Sequence, residues 1–329
     1  MKVGFFSVKP YDIDQFDRIN QTFGLQIEYF DYRLCMQTVR LAYGFEVICA
    51  FVNDSLSEEV LIELSENGTK VIAMRCAGFN NVDLEVAKKL NLRVVNVPSY
   101  SPESVAEHTV ALMLTLNRKI HKAYQRTRDA NFSLTGLVGF NMQNRSVGII
   151  GTGRIGLATI KVLRGFGCHV FAHDPYPNQA VLDLGVEYVS LEEIFATCDI
   201  ISLHCPLTSE NHHLLNKESF SRMKQGVMVI NTSRGGLLNA FDATEALKTG
   251  QLGSLGLDVY ENEMELFFED KSNEIIQDDV FRRLSSCHNV IFTGHQAFLT
   301  EEALSAIAFT TLTNITQIGD ADHCPNELT

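Results

Sequence analysis

The chain has 329 residues, 45% of them hydrophobic and 20% charged, which suits about two globular domains that need no disulfide or metal staple. Lys and Arg number 27 against 40 Asp and Glu, a net charge of −13 that argues against a nucleic-acid grip or an anionic-lipid surface. No apolar run approaches the ~18 residues of a membrane-spanning helix.

The N-terminus, Met1-Lys2-Val3-Gly4-Phe5-Phe6, reads as a first strand rather than a signal peptide, because the apolar stretch is short and no small-residue cleavage site follows. Apolar runs at 47–52 and 71–74 predict strands buried on both faces, and Val94-Val95-Asn96-Val97 predicts a further strand. A helix at 58–67 between them ends at Gly68. Strands alternating with helices imply a parallel sheet covered on both sides. Ser101-Pro102-Glu103 then opens a long helix, with Ser at the cap, Pro in the first turn and Glu at the positive dipole end. The pattern carries it to about residue 128.

A second unit starts near Ser146, with strands predicted at 147–150, 169–172, 200–203, 227–231, 254–259 and 290–292. Six strands match a doubly wound nucleotide-binding sheet. A last helix over 300–318 has an apolar face of Leu304, Ile307, Leu312, Ile315 and Ile318, and is expected to pack back on the N-terminal part. The expected organisation is therefore α/β: a substrate domain of 1–100 and 299–329, and a cofactor domain of 101–298.

Eight cysteines (35, 49, 76, 168, 198, 205, 287 and 324) form no C-x-x-C pair, so free thiols in a reducing cytoplasm are expected. His212-His213 is the only adjacent histidine pair. Sequence neighbours rarely aim at one ion, and no metal is expected.

Gly151-Thr152-Gly153-Arg154-Ile155-Gly156 fits G-x-G-x-x-G, with a strand before it, a helix at 157–165 after it and Asp174 at the end of the next strand. Gly151 allows the tight turn, Gly153 lets backbone approach a pyrophosphate, and Gly156 lets helix and strand sit close. The helix N-terminus offers N–H groups to phosphate. A carboxylate at Asp174 accepts ribose hydroxyls and repels a 2′-phosphate, so the cofactor expected is NAD rather than NADP. Arg234, Glu263 and His295 each follow a different strand of this unit, and ligands of open α/β sheets bind beyond the strands' carboxyl ends. The three are expected to meet in one crevice.

Seven ordered pieces extend the pattern: RCAGFNNVD (75–83), VPSYSPESVAEH (97–108), GTGRIG, HCPLT (204–208), NTSRG (231–235), LDVYENE (257–263) and TGHQAFLT (293–300). Over nearly its whole length the chain resembles the D-isomer-specific 2-hydroxyacid dehydrogenases, most closely their fermentative branch, which interconverts pyruvate and D-lactate. The resemblance implies two doubly wound parallel-sheet domains, a Rossmann-type cofactor domain and a flavodoxin-like substrate domain, with a cleft that closes on the substrate.

It also implies roles. His295 would protonate the C2 oxygen and take the proton back in reverse, with Glu263 holding its orientation. Arg234 would grip the substrate carboxylate with a planar fork. Backbone N–H groups around Ala77 and Gly78 would bind that carboxylate from the other domain, and Tyr100 and Phe298 would line the pocket beside a small methyl group. Arg154, Ile155, Asp174, Cys205, Pro206, Asn211, Thr232 and Asp258 would line the cofactor. Relatives that oxidise formate carry Gln where this chain has Glu263, which points to hydroxy-acid chemistry. The run Leu266-Phe267-Phe268-Glu269-Asp270 extends the loop after Glu263 and is open to two readings, a cover over the site or a subunit contact. The resemblance implies a homodimer or homotetramer and no nucleic-acid or membrane partner. Two other readings stay open: a dehydrogenase for a bulkier 2-oxo acid, and a non-catalytic NAD-binding regulator.

Overall fold

The computed structural model describes residues 1–320 and 324–329, with backbone only at 265, 319 and 320. Contacts divide the chain into two compact units, Met1–Ser101 with Leu299–Thr329, and Pro102–Phe298. Among the described residues, no helix is long and apolar enough to cross a membrane.

The first unit holds a parallel sheet of β1 (Lys2–Phe5), β2 (Gln26–Tyr29), β3 (Val47–Ala50), β4 (Val71–Met74) and β5 (Arg93–Val95), in the order β2-β1-β3-β4-β5. Every residue of β3 and β4 is buried, as their unbroken apolar sequences VICA and VIAM require of central parallel strands. The edge strand β2 has no counterpart in the sequence reading. Its sequence QIEY is exposed or half-buried throughout, and only the register Lys2↔Gln26 to Phe5↔Tyr29 makes it a strand. The C-terminal helix Glu301–Asp320 belongs to this unit, where Phe309 meets Phe23 at 5.8 Å and Asn314 Nδ2 donates to Asn96 O at 2.8 Å.

Arg75 is the largest fully buried side chain here. Its Nη1 and Nη2 donate to Phe6 O and Ser7 O at 2.8 Å, Asp12 lies 3.7 Å away, and the guanidinium covers the Phe51 ring. Removing it strands two carbonyls and takes the buried counter-charge from the Asp12 carboxylate, which keeps the Lys9 N–H at 3.1 Å. Arg75→Met should therefore lower unfolding stability by about 3–5 kcal/mol in a denaturant titration. A loss below about 1 kcal/mol, the scale of an ordinary surface change, would contradict this account.

The second unit holds β6 (Ser146–Ile150), β7 (His169–His173), β8 (Glu187–Tyr188), β9 (Ile200–Leu203), β10 (Val227–Asn231), β11 (Leu252–Leu257) and β12 (Val290–Phe292). They form a parallel sheet ordered β12-β11-β10-β9-β6-β7-β8, so the order reverses at β6, between β9 and β7. Six of these strands are the predicted ones. The seventh, β8, is two residues long and leaves no apolar run to read. Along β10, Val227 and Val229 enter one core while Met228 and Ile230 enter the other, the two-residue alternation of a strand covered on both faces.

The long helix predicted to residue 128 is broken. Lys119 takes φ 52°, which separates helix Pro102–Arg118 from helix Ile120–Arg128. The first buries nine side chains and the second none, so no packing force carries the first helix through the break.

Candidate active site

Every residue expected to touch cofactor or reacting atoms in the second unit lies just beyond the carboxyl end of one of its strands. The glycine loop follows β6, Asp174 follows β7, and Cys205, Pro206 and Asn211 follow β9. Thr232 and Arg234 follow β10, Asp258 and Glu263 follow β11, and His295 and Phe298 follow β12. The switch in strand order at β6 sets the glycine loop beside the β9 loop.

The glycine loop has the shape of a phosphate cradle. Gly151 sits at φ 97°, and a Cβ there would lie 2.4 Å from Cys205 N; one on Gly156 would lie 2.1 Å from Gly151 O. A Cβ on Gly153 would meet nothing within 4 Å, so it would occupy the open space in front of the helix Arg154–Gly165. Two tight glycines and one facing open space fit a dinucleotide pyrophosphate held at that N-terminus. Arg154 is exposed and Ile155 half-buried beside it.

Asp174 is tied to this loop. Its Oδ2 accepts from Thr152 N at 2.7 Å and from Thr152 Oγ1 at 3.0 Å, and Oδ1 accepts from Tyr176 N at 2.9 Å. The carboxylate thus braces the turn, at the position expected to meet an adenine ribose. Asp174→Ser should raise kcat/KM with NADPH relative to NADH by about tenfold or more, since a like-charge clash costs several kcal/mol. It should also weaken NADH, because Thr152 loses its acceptor. An unchanged NADPH/NADH ratio would remove the assigned role.

The remaining residues on the cofactor side mostly hold their own loops. Asn211 Nδ2 donates to Pro206 O, and its Oδ1 accepts from Thr208 N, both at 2.8 Å. Ser233 Oγ donates to Cys205 O, linking the β9 and β10 loops. Burial pushes the Cys205 thiol up to about 11, so it stays a protonated wall rather than a nucleophile. Thr232 is buried and shares a hydroxyl bond of 2.8 Å with Thr109.

The β11 and β12 loops bring His295 and Glu263 together. His295 Nδ1 lies 2.8 Å from Glu263 Oε1, with both side chains about four-fifths buried. Glu263 Oε2 accepts from Tyr260 N at 2.9 Å, so each carboxylate oxygen has a fixed task. A carboxylate can only accept, so Nδ1 carries a proton and Nε2 is left for chemistry. The Phe268 ring sits 5.9 Å from the imidazole, which sets the extended 266–270 loop beside His295.

Asp258 is fully buried, and its carboxylate accepts from Gln296 N and Ala297 N at 2.9 Å each and from the Thr293 hydroxyl. Its carbonyl accepts His295 N at 2.7 Å. This residue, expected beside the cofactor, also builds the turn that carries His295. Sequence reading missed that role because it shows only once the turn is folded.

Arg234 lies in the loop after β10, with Nη1 donating to Ser233 O at 2.7 Å. The backbone after it is pressed on the β11 loop, since a Cβ on Gly235 would lie 2.1 Å from Tyr260 C. In the first unit, Ala77 and Gly78 follow β4, held by Asn96 Nδ2 on Ala77 O at 2.8 Å and Cys76 Sγ on Gly78 O at 3.2 Å. Tyr100 is half-buried near the end of that unit's first segment, and Phe298 is buried at the end of the second unit.

The histidine pair set aside in the sequence does converge. His212 Nε2 and His213 Nε2 lie 2.9 and 3.0 Å from Glu261 Oε1, with the rings stacked at 3.8 Å and 29°. The two ring nitrogens and the carboxylate lie within 4.8 Å of one another, and the Glu261 carboxylate is the shared acceptor of both rings. Burial pushes the Glu261 carboxyl up, but the hydrogen bonds from His213 and His212 outweigh it and hold it below its ordinary value.

Comparison with known proteins agrees with this architecture. The family model for the NAD binding domain of D-isomer specific 2-hydroxyacid dehydrogenases matches residues 110–297. The chain is 59% identical over 328 residues to the D-lactate dehydrogenase of Escherichia coli, covering all of both. A structure of Salmonella D-lactate dehydrogenase is 60% identical, with TM-score 0.88 over the whole of both chains. A structure described as the pyruvate reductase of Chlamydomonas reinhardtii is 46% identical with TM-score 0.92, covering 97% of this chain and 96% of that one. The chain belongs to the D-isomer specific 2-hydroxyacid dehydrogenase family.

Proposed function

We propose that this chain is an NAD-dependent D-lactate dehydrogenase, reducing pyruvate to D-lactate and running in reverse. The observation that carries the reading is the His295–Glu263 pair, 2.8 Å apart at the carboxyl edge of a dinucleotide-type sheet. Relatives named for that activity, alike over the full length, support it.

NADH, when bound, supplies the hydride. His295 gives its Nε2 proton to the C2 oxygen of pyruvate while Glu263 keeps Nδ1–H engaged and balances the imidazolium. Arg234 receives the substrate carboxylate on two N–H groups and draws charge from the carbonyl. Backbone N–H groups near Ala77 and Gly78 take part in holding the carboxylate. Tyr100 and Phe298 shape the space for the methyl group, and Phe268 keeps water from the imidazole. Arg154, Ile155, Cys205, Pro206, Asn211, Thr232 and Asp258 would line the cofactor. Units 1–100 with 299–329 and 101–298 serve substrate and cofactor respectively. A cytoplasmic homodimer or homotetramer fits the reading, with Cys49, Cys198 and Cys205 kept as thiols by burial.

The deciding experiment follows NADH oxidation with pyruvate and a panel of longer 2-oxo acids, with chiral analysis of the product. D-lactate as the preferred product supports the assignment. A preference for branched or longer acids moves the substrate, and NADH binding without turnover leaves a cofactor-binding regulator.

A further inference from the structure

The mechanism leaves His108 unused, yet its ring reaches the turn that carries His295. His108 lies on helix Pro102–Arg118, in the same unit as that turn. Its Nε2 is 3.1 Å from Thr293 Oγ1 and 3.6 Å from Asp258 Oδ1. The Thr293 hydroxyl also bonds Asp258 Oδ1. A carboxylate has no proton to give, so Thr293 commits its one hydrogen to Asp258 and its oxygen can only accept. His108 must therefore donate through Nε2–H, and the chain runs from His108 to Thr293 to Asp258.

The far end of this chain is the catalytic turn. Asp258 takes the N–H groups of Gln296 and Ala297 on its carboxylate and that of His295 on its carbonyl. The turn is conformationally loaded, because His295 sits at φ 54°, the left-handed region that a residue with a Cβ rarely adopts. Such a conformation persists only where neighbours over-determine it. The next residue on the helix, Thr109, bonds Thr232 at the end of β10. Two consecutive side chains thus pin the turns after β10 and β12 to one helix. Burial pushes the His108 imidazole below its ordinary value against the pull of Asp258, which favours a neutral ring with a single N–H.

We propose that His108 is a positioning residue: its Nε2–H, relayed by Thr293 and Asp258, fixes the turn that presents His295. The kinetic part of this inference rests on the dehydrogenase reading; the structural part stands without it.

The test compares His108→Leu, which removes the donor, with His108→Gln, whose side-chain amide restores one, in the full chain. Measured are kcat and KM for pyruvate, NADH affinity by fluorescence, melting temperature, and hydrogen exchange at the 293–297 amides. H108L should lower kcat by about ten- to hundredfold, the scale of a misplaced catalytic group. It should leave NADH affinity within about twofold and speed exchange at Gln296 and Ala297. H108Q should recover most of both.

Wild-type kcat and exchange in H108L would overturn the proposal. So would equal damage in both variants with a lowered melting temperature and weakened NADH, the signature of packing alone. Should H108L fail to fold, Thr293→Val breaks the relay at its middle while Thr293→Ser keeps it, and the same contrast is required of that pair. If the wild-type chain turns over no 2-oxo acid, the dehydrogenase reading falls and exchange alone decides. Loss in the Leu or Val variant with rescue by Gln or Ser supports the relay, and unchanged protection sinks it.

Discussion

His295→Gln should lower kcat/KM for pyruvate by about a thousandfold, within the ~10²–10⁴ that a positioned general acid supplies. Gln is close to isosteric in reach and keeps a hydrogen-bonding head, so it can still touch the substrate. It has no proton to release at the required moment. NADH affinity should hold, because the glycine loop and Asp174 are on other strands. Stopped-flow rates at saturating NADH check this, and a variant within tenfold of wild type, or one whose NADH affinity falls in step with its rate, would falsify the assignment.

Arg234→Lys should raise the KM for pyruvate by about a hundredfold while NADH affinity stays within about twofold. Lys keeps the charge but not the planar fork, so one of two parallel N–H···O bonds is lost, and bonds to charged groups contribute about 1.5–3 kcal/mol each. The placement is specific as well. Gly235 admits no Cβ against Tyr260, so the backbone cannot shift to bring a shorter or rounder head group into register. Inhibition by oxamate, a pyruvate mimic with the same carboxylate, should weaken in parallel. Equal losses for pyruvate and NADH would mean that Arg234 braces the loop instead of holding the substrate.

Much of this molecule is legible in its residues, and the reasons are local. Buried parallel strands such as VICA and VIAM must be apolar throughout, and the G-x-G-x-x-G turn leaves glycine no substitute at Gly151 or Gly156. The pairing of Glu263 with His295, 32 positions apart, could be expected because both follow adjacent strands of one sheet. What escaped depends on partners distant in sequence. Strands β2 and β8 exist by virtue of their neighbours' hydrogen bonds rather than their own apolar content. The break at Lys119 reflects the end of useful burial, not a Gly or Pro that could be read. The double duty of Asp258 and the placement of Phe268 are tertiary facts with no periodic trace.

The divided grip of Glu263 bears on proton bookkeeping as well as charge. One oxygen is committed to the Tyr260 amide and the other to the ring. An amide in its place could satisfy the Tyr260 N–H only through its carbonyl, which would turn its NH₂ toward Nδ1. The neutral ring would then keep its hydrogen on the opposite nitrogen and have no lone pair with which to accept a hydroxyl proton. The difference between a carboxylate and a carboxamide at this point is therefore a choice of tautomer, and with it of whether an alcohol can be a substrate.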